Sequence, residues 1–163
     1  NSEGLHYANR INKTLWLAPF LHLLDCLSTF FAMSLGGKEG NPYALLFMKT
    51  LGFLWGLAAF ALIFFIILSV SIWAVIRGKE IFQHRQSENL LIRILGMLCF
   101  LGIIVLYIAS AHKFRIIFSN LTFALVLNVS QRNLRDLTVF IISFLTMLWY
   151  TRSELTRFFQ PKL

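Results

Sequence analysis

The sequence predicts an all-α integral membrane protein, with about four transmembrane helices in one small bundle over residues 1–163 and an extra short apolar or interfacial segment before the last helix. Three observations lead there. First, 58% of the 163 residues are hydrophobic and only 13% charged, with a mean hydropathy of +0.71. A soluble domain of this size cannot hide so much apolar surface, because about 45–50% apolar content is usual. Second, the apolar residues fall into runs near the roughly 20 residues that cross a bilayer as a helix. Third, Lys and Arg number 15 against 7 Asp and Glu, and they flank the apolar runs. That placement anchors a chain to anionic lipid head groups and removes the nucleic-acid reading that a soluble protein of charge +8 would invite.

Asn1 to Thr14 is polar and lacks the apolar core of a cleaved signal, so it is expected to precede the first span. That span is predicted over 15–35, with Asp25 as its one charge and Pro19 in its opening turns, where a missing N–H does least harm. Gly36-Gly37 is expected to end it through a left-handed glycine. Asn41 then reads as an N-cap with Pro42 at the first helical position. From there the apolar pattern continues over 42–76 with one charge, Lys49. A single helix of that length is about 50 Å long, so it must tilt or project from the membrane. Gly52 and Gly56 within it form a GxxxG spacing, a candidate helix-packing face.

A polar, mostly basic connector, Arg77 to Glu88, leads to a third span over 90–111. His112, Lys113 and Arg115 follow, then the ambiguous apolar stretch 116–129, too short for an ordinary span and read as interfacial, continuing or re-entrant. The last span is predicted over 134–151, with Trp149 and Tyr150 as an interfacial belt. With four spans and the N-terminus inside, the cytoplasmic side carries Arg10, Lys13, Arg77, Lys79, Arg85, Arg93, Arg152, Arg157 and Lys162, nine of the fifteen cations. Both termini are therefore expected in the cytoplasm, in the cell membrane. A fifth span at 116–129 would move the C-terminus outside.

Asp25 is the least expected residue. A central Asp costs about 2.5–3.5 kcal/mol on insertion scales, so it must face a partner, water or a ligand. His22, Asp25, Ser28 and Thr29 recur at helical spacing and share one face. Such a stripe can glue helices together, bind a cation or relay a proton. Glu39 lies beyond the end of that helix. It meets Asp25 only if the GGKEGNP turn dips back into the membrane, which two glycines and a proline permit; a solvated turn with a helix cap is the alternative. Cys26 and Cys99 read as buried small hydrophobes, with a disulfide or metal thiolate as the rival. His6, His84 and His112 read as surface or interfacial.

The pattern Asp25, Ser28, Thr29, Gly36, Glu39, Asn41, Pro42 resembles a family of small membrane proteins known as domain of unknown function 5658; Asn120 loosely matches a further asparagine of that pattern. The resemblance implies a small helical bundle in which Asp25, Glu39 and Asn41 form one cluster, and it implies no activity. No nucleotide loop, zinc-protease motif or nucleophile elbow is present, and no cofactor is identified. The function expected from the sequence is that of a non-catalytic accessory or scaffolding subunit packing against partner membrane proteins or itself. The alternative is a small transporter or ion-binding protein centred on His22, Asp25, Ser28, Thr29, Glu39 and Asn41.

Overall fold

A computed structural model describes residues 10–84, 89–122 and 129–158; every described element is helical. The helices are α1 (Arg10–Leu15), α2 (Leu17–Ser34), α3 (Pro42–Leu51), α4 (Phe53–His84), α5 (Leu90–Leu121) and α6 (Val129–Thr156). Four stretches are long and apolar enough to cross a membrane: Arg10–Ser34, Phe53–Gln83, Leu90–Leu121 and Gln131–Thr156. The protein is therefore a multi-pass helical bundle.

The first span starts earlier than the hydropathy pattern indicates. Arg10–Leu15 already coils, and only Trp16 interrupts the rod, its N–H donating to Asn12 O at 3.3 Å. Pro19 consequently lies inside the span rather than at its opening. It has no N–H for the carbonyl of Leu15, four residues back, which accounts for the local break. The early start is held from across the bundle: both oxygens of Glu154 accept from backbone N–H groups, Arg10 at 2.8 Å and Ile11 at 3.0 Å. Glu154→Gln is expected to cost about 1–2 kcal/mol, because a charged cap of two backbone donors becomes a single neutral acceptor. Chemical unfolding of the purified protein, with proteolysis of the first segment as a local readout, checks this.

The expected helix over 42–76 is two helices. Gly52 closes α3 at φ +80° and ψ 163°, a conformation open in practice only to glycine. The chain then doubles back so tightly that a Cβ on Gly56 would lie 2.4 Å from Phe47 O and 2.5 Å from Met48 Cα. The GxxxG pair is therefore not one packing face. Gly52 makes the turn, and Gly56 admits the α3 backbone. The ends of α2 and α3 follow the local signals. Gly36 and Gly37 donate to Met33 O at 3.0 Å and Ala32 O at 2.9 Å, and Asn41 Oδ1 accepts from Tyr43 N at 3.0 Å.

Residues 116–121 continue α5 instead of forming a separate segment, while 123–128 lie outside the described residues. The last span is longer at both ends than 134–151. Two apolar cores result. One joins Ile11, Leu15, Ile72, Phe82, Ile103, Tyr107, Met147 and Phe158 near the chain termini. The other joins Cys26, Ala44, Met48, Leu57 and Phe60 around α3. Both cysteines are free and buried, one in each core.

Candidate functional site

The polar face of α2 is turned wholly inward: His22, Asp25, Ser28 and Thr29 are all buried. α4 runs antiparallel to α2, with Phe30 stacked on Phe53 at 5.6 Å and His22 against Phe60 at 5.3 Å. Ala44 shares a core with Cys26 and Phe60, so the start of α3 lies level with the middle of α2. Residues 35–41 must therefore run back down from the end of α2 before α3 climbs again to Gly52. The turn containing Glu39 is re-entrant. Leu51, Phe53, Leu54 and Trp55 are exposed beyond it, beside the exposed Lys49 and Thr50.

The returning turn, the face of α2 and the last turns of α5 enclose a cavity of about 430 Å³. Asp25, Thr29, Glu39, Asn41, Lys113 and Arg115 are among its walls. Asp25 Oδ2 accepts from Lys113 Nζ at 2.5 Å, an ion pair in which the two side chains are 10% and 20% exposed. Two charges this poorly hydrated need one another, since removing either leaves the other buried and uncompensated. Asp25 Oδ1 has no hydrogen-bond partner among the described residues. One turn away, Asn120 Nδ2 donates to Ser28 Oγ at 3.0 Å and to Thr29 Oγ1 at 3.2 Å. Glu39 Oε1 accepts from Asn41 N at 2.5 Å, which stiffens the turn.

His22 stands apart from this chemistry. Its ring packs between Phe60 and Phe64, and Nε2 lies 3.8 Å from Cys26 Sγ, so it fills the core behind the cavity. His112, expected at the surface or interface, is exposed and also borders the cavity; His6 and the side chain of His84 lie outside the described residues. Gly52 and Gly56 take no part in the walls, but their hairpin holds α3 in position. No three of the described His, Cys, Asp and Glu residues converge closely enough to hold a metal ion.

Sequence reasoning missed Lys113 and Arg115 as site residues, reading them as polar positions that follow the third span. The signal was there, because no glycine or proline interrupts residues 103–129. A helix that does not stop at Ala111 carries both cations alongside α2. The chain matches no family model, no curated protein and no solved structure.

Proposed function

We propose that this protein binds a small polar solute within the membrane and belongs, in mechanism, with small transporters. The observation that carries the reading is the re-entrant turn at residues 35–41. Irregular backbone at membrane depth survives only where it is buried in protein or lines a water-filled cavity. Here it lines a charged one, and a half-helix, α3, begins at the same place. A discontinuous helix with its N-terminus at a polar cavity is the arrangement by which transporters hold polar cargo away from lipid. The Asp25–Lys113 pair then serves the cavity as a fixed polar wall. The accessory-subunit reading draws on the apolar exterior, which lipid covers equally well, so the buried charges favour solute binding. Membership of the family resembled in sequence is part of this proposal in one respect: its Asp, Glu and Asn positions all border the cavity.

We further infer that both termini are cytoplasmic and that the cavity opens on the opposite side. At the terminal end Arg77 covers Trp73 at 5.9 Å, and Arg152 covers Trp149 at 5.5 Å. Cations over Trp fit a membrane rim on either side, and the excess of Lys and Arg at this end, nine of the fifteen, favours the cytoplasmic one. The test is thiol accessibility in a Cys26→Ala, Cys99→Ala background. Ile116→Cys, in the cavity wall, is expected to react with a membrane-impermeant maleimide from the side opposite the termini. Leu101→Cys, 58% exposed on the apolar exterior, is expected to stay unlabelled. An Ile116→Cys protein as inert as Leu101→Cys would mean a dry interior, and the solute-binding reading would fall.

A further inference from the structure

Resting on the cavity reading above, we propose that the ligand is a small oxyanion, a solute bearing a carboxylate or phosphate, held by the guanidinium of Arg115. Lys38, Lys113 and Arg115 are the Lys and Arg residues of the cavity wall, with Asp25 and Glu39 as its carboxylates. Lys113 is already committed to Asp25. Lys38 is exposed on the turn. Arg115 is half-buried, and its Nε is fully buried with no hydrogen-bond partner among the described residues.

This guanidinium differs in its surroundings from others in the chain. Arg77 pairs with Glu80 at 2.9 Å, Arg135 pairs with Asp136 at 2.7 Å, and Arg152 lies over Trp149. Arg115 presents a planar fork of donors that matches a carboxylate or phosphate in two parallel hydrogen bonds. Among the described residues no carboxylate pairs with it: Asp136, which lines a neighbouring pocket with Arg115, is taken by Arg135, so the charge of Arg115 is left for the cavity to meet. An anion is the ligand that meets it.

Two neighbours fit the same chemistry. α3 starts at the cavity, so the positive end of its dipole favours an anion there, although Asn41 already takes its first N–H groups. Asp25, whose Oδ1 has no hydrogen-bond partner among the described residues, contributes a carboxylate to the same wall. A cavity of about 430 Å³ admits a small organic acid or phosphate ester rather than an isolated ion alone. The shared chemistry is an oxyanion; its source is a dissolved solute or the head group of an anionic lipid.

The experiment uses the full chain purified in a neutral detergent, with thermal unfolding followed against inorganic phosphate, acetate, chloride and choline chloride at matched ionic strength. Phosphate or acetate is expected to raise the midpoint saturably, while chloride and choline leave it unchanged. Arg115→Gln is expected to abolish the rise. Arg115→Lys, which keeps the charge but loses the fork, is expected to weaken the apparent affinity by about tenfold, and it decides the matter if the glutamine variant does not fold. Nanodiscs of phosphatidylcholine with and without phosphatidylglycerol separate the sources. A stabilisation by phosphatidylglycerol that needs Arg115 identifies a head group; saturable phosphate or acetate binding with no lipid effect identifies a solute. No saturable response to any oxyanion probe, lipid included, overturns the assignment even if Ile116→Cys is labelled. Failure of that labelling removes the cavity reading as well.

Discussion

Asp25→Asn is expected to destabilise the protein by about 3 kcal/mol, the largest effect of any single polar substitution here. The carboxylate is 10% exposed, and its partner Lys113 is 20% exposed. Removing one member of such a pair leaves a cation in a poorly hydrated wall, which typically costs about 3–5 kcal/mol. The lower end of that range applies because Lys113 borders the cavity and can turn its ammonium towards any water there. Lys113→Met should be destabilising for the same reason, since it leaves the carboxylate of Asp25 buried without its partner. The double variant should be more stable than the sum of the two single losses implies, because neither charge is then left alone. Unfolding of the four proteins in one detergent gives the coupling directly. A double variant no better than additive would show that the pair contributes nothing as a pair.

Gly56→Val is the second change expected to have a large effect, about 3 kcal/mol or more, and through backbone rather than charge. Its Cβ would lie within 2.5 Å of the α3 backbone at Phe47 and Met48, and backbone atoms in a packed hairpin cannot rotate away as a flexible side chain can. Overpacking typically costs about 1–3 kcal/mol, and the two added methyl groups place this site at or above the upper end. Gly52→Ala meets nothing within 4 Å and suffers only its φ of +80°, for about 1–3 kcal/mol. The two differ in their consequence for the site. Opening the hairpin at Gly56 moves α3 and the turn that precedes it, so Ile116→Cys labelling should change in rate, which unfolding and thiol accessibility on the same samples would reveal. Unchanged stability in Gly56→Val would show that α3 does not pack against α4 as described.

The missed features share a physical cause. Gly52 lies inside an apolar run, and hydropathy is blind to a break that exposes no polar residue. The same glycine in an uninterrupted helix would have made the GxxxG reading sound; only the approach of residues 47–48 distinguishes a turn from a contact face. At Lys113 and Arg115 the error was the opposite, since polarity was taken as the end of a helix when the backbone had no reason to stop. Glu39 illustrates a limit of rise arithmetic: its distance from Asp25 along the chain exceeds any direct reach, and only the backward course of residues 35–41 removes that separation.

By itself the sequence determined the solvent, the helical class, most of the span positions, the glycine stop at Gly36-Gly37, the Asn41 cap and the buried stripe from His22 to Thr29. Each depends on near neighbours: hydropathy over about 20 residues, hydrogen bonds over four, side-chain facing over three or four. Only the tertiary structure decided that Asp25 meets Lys113 and that Ser28 and Thr29 meet Asn120, pairs 88, 92 and 91 residues apart. Those partners depend on the register of α2 against α5 and on the α3–α4 hairpin, which is set by packing that no local pattern encodes. The cavity belongs to that second level, because its walls come from α2, the turn after it, α3, α4 and α5 at once.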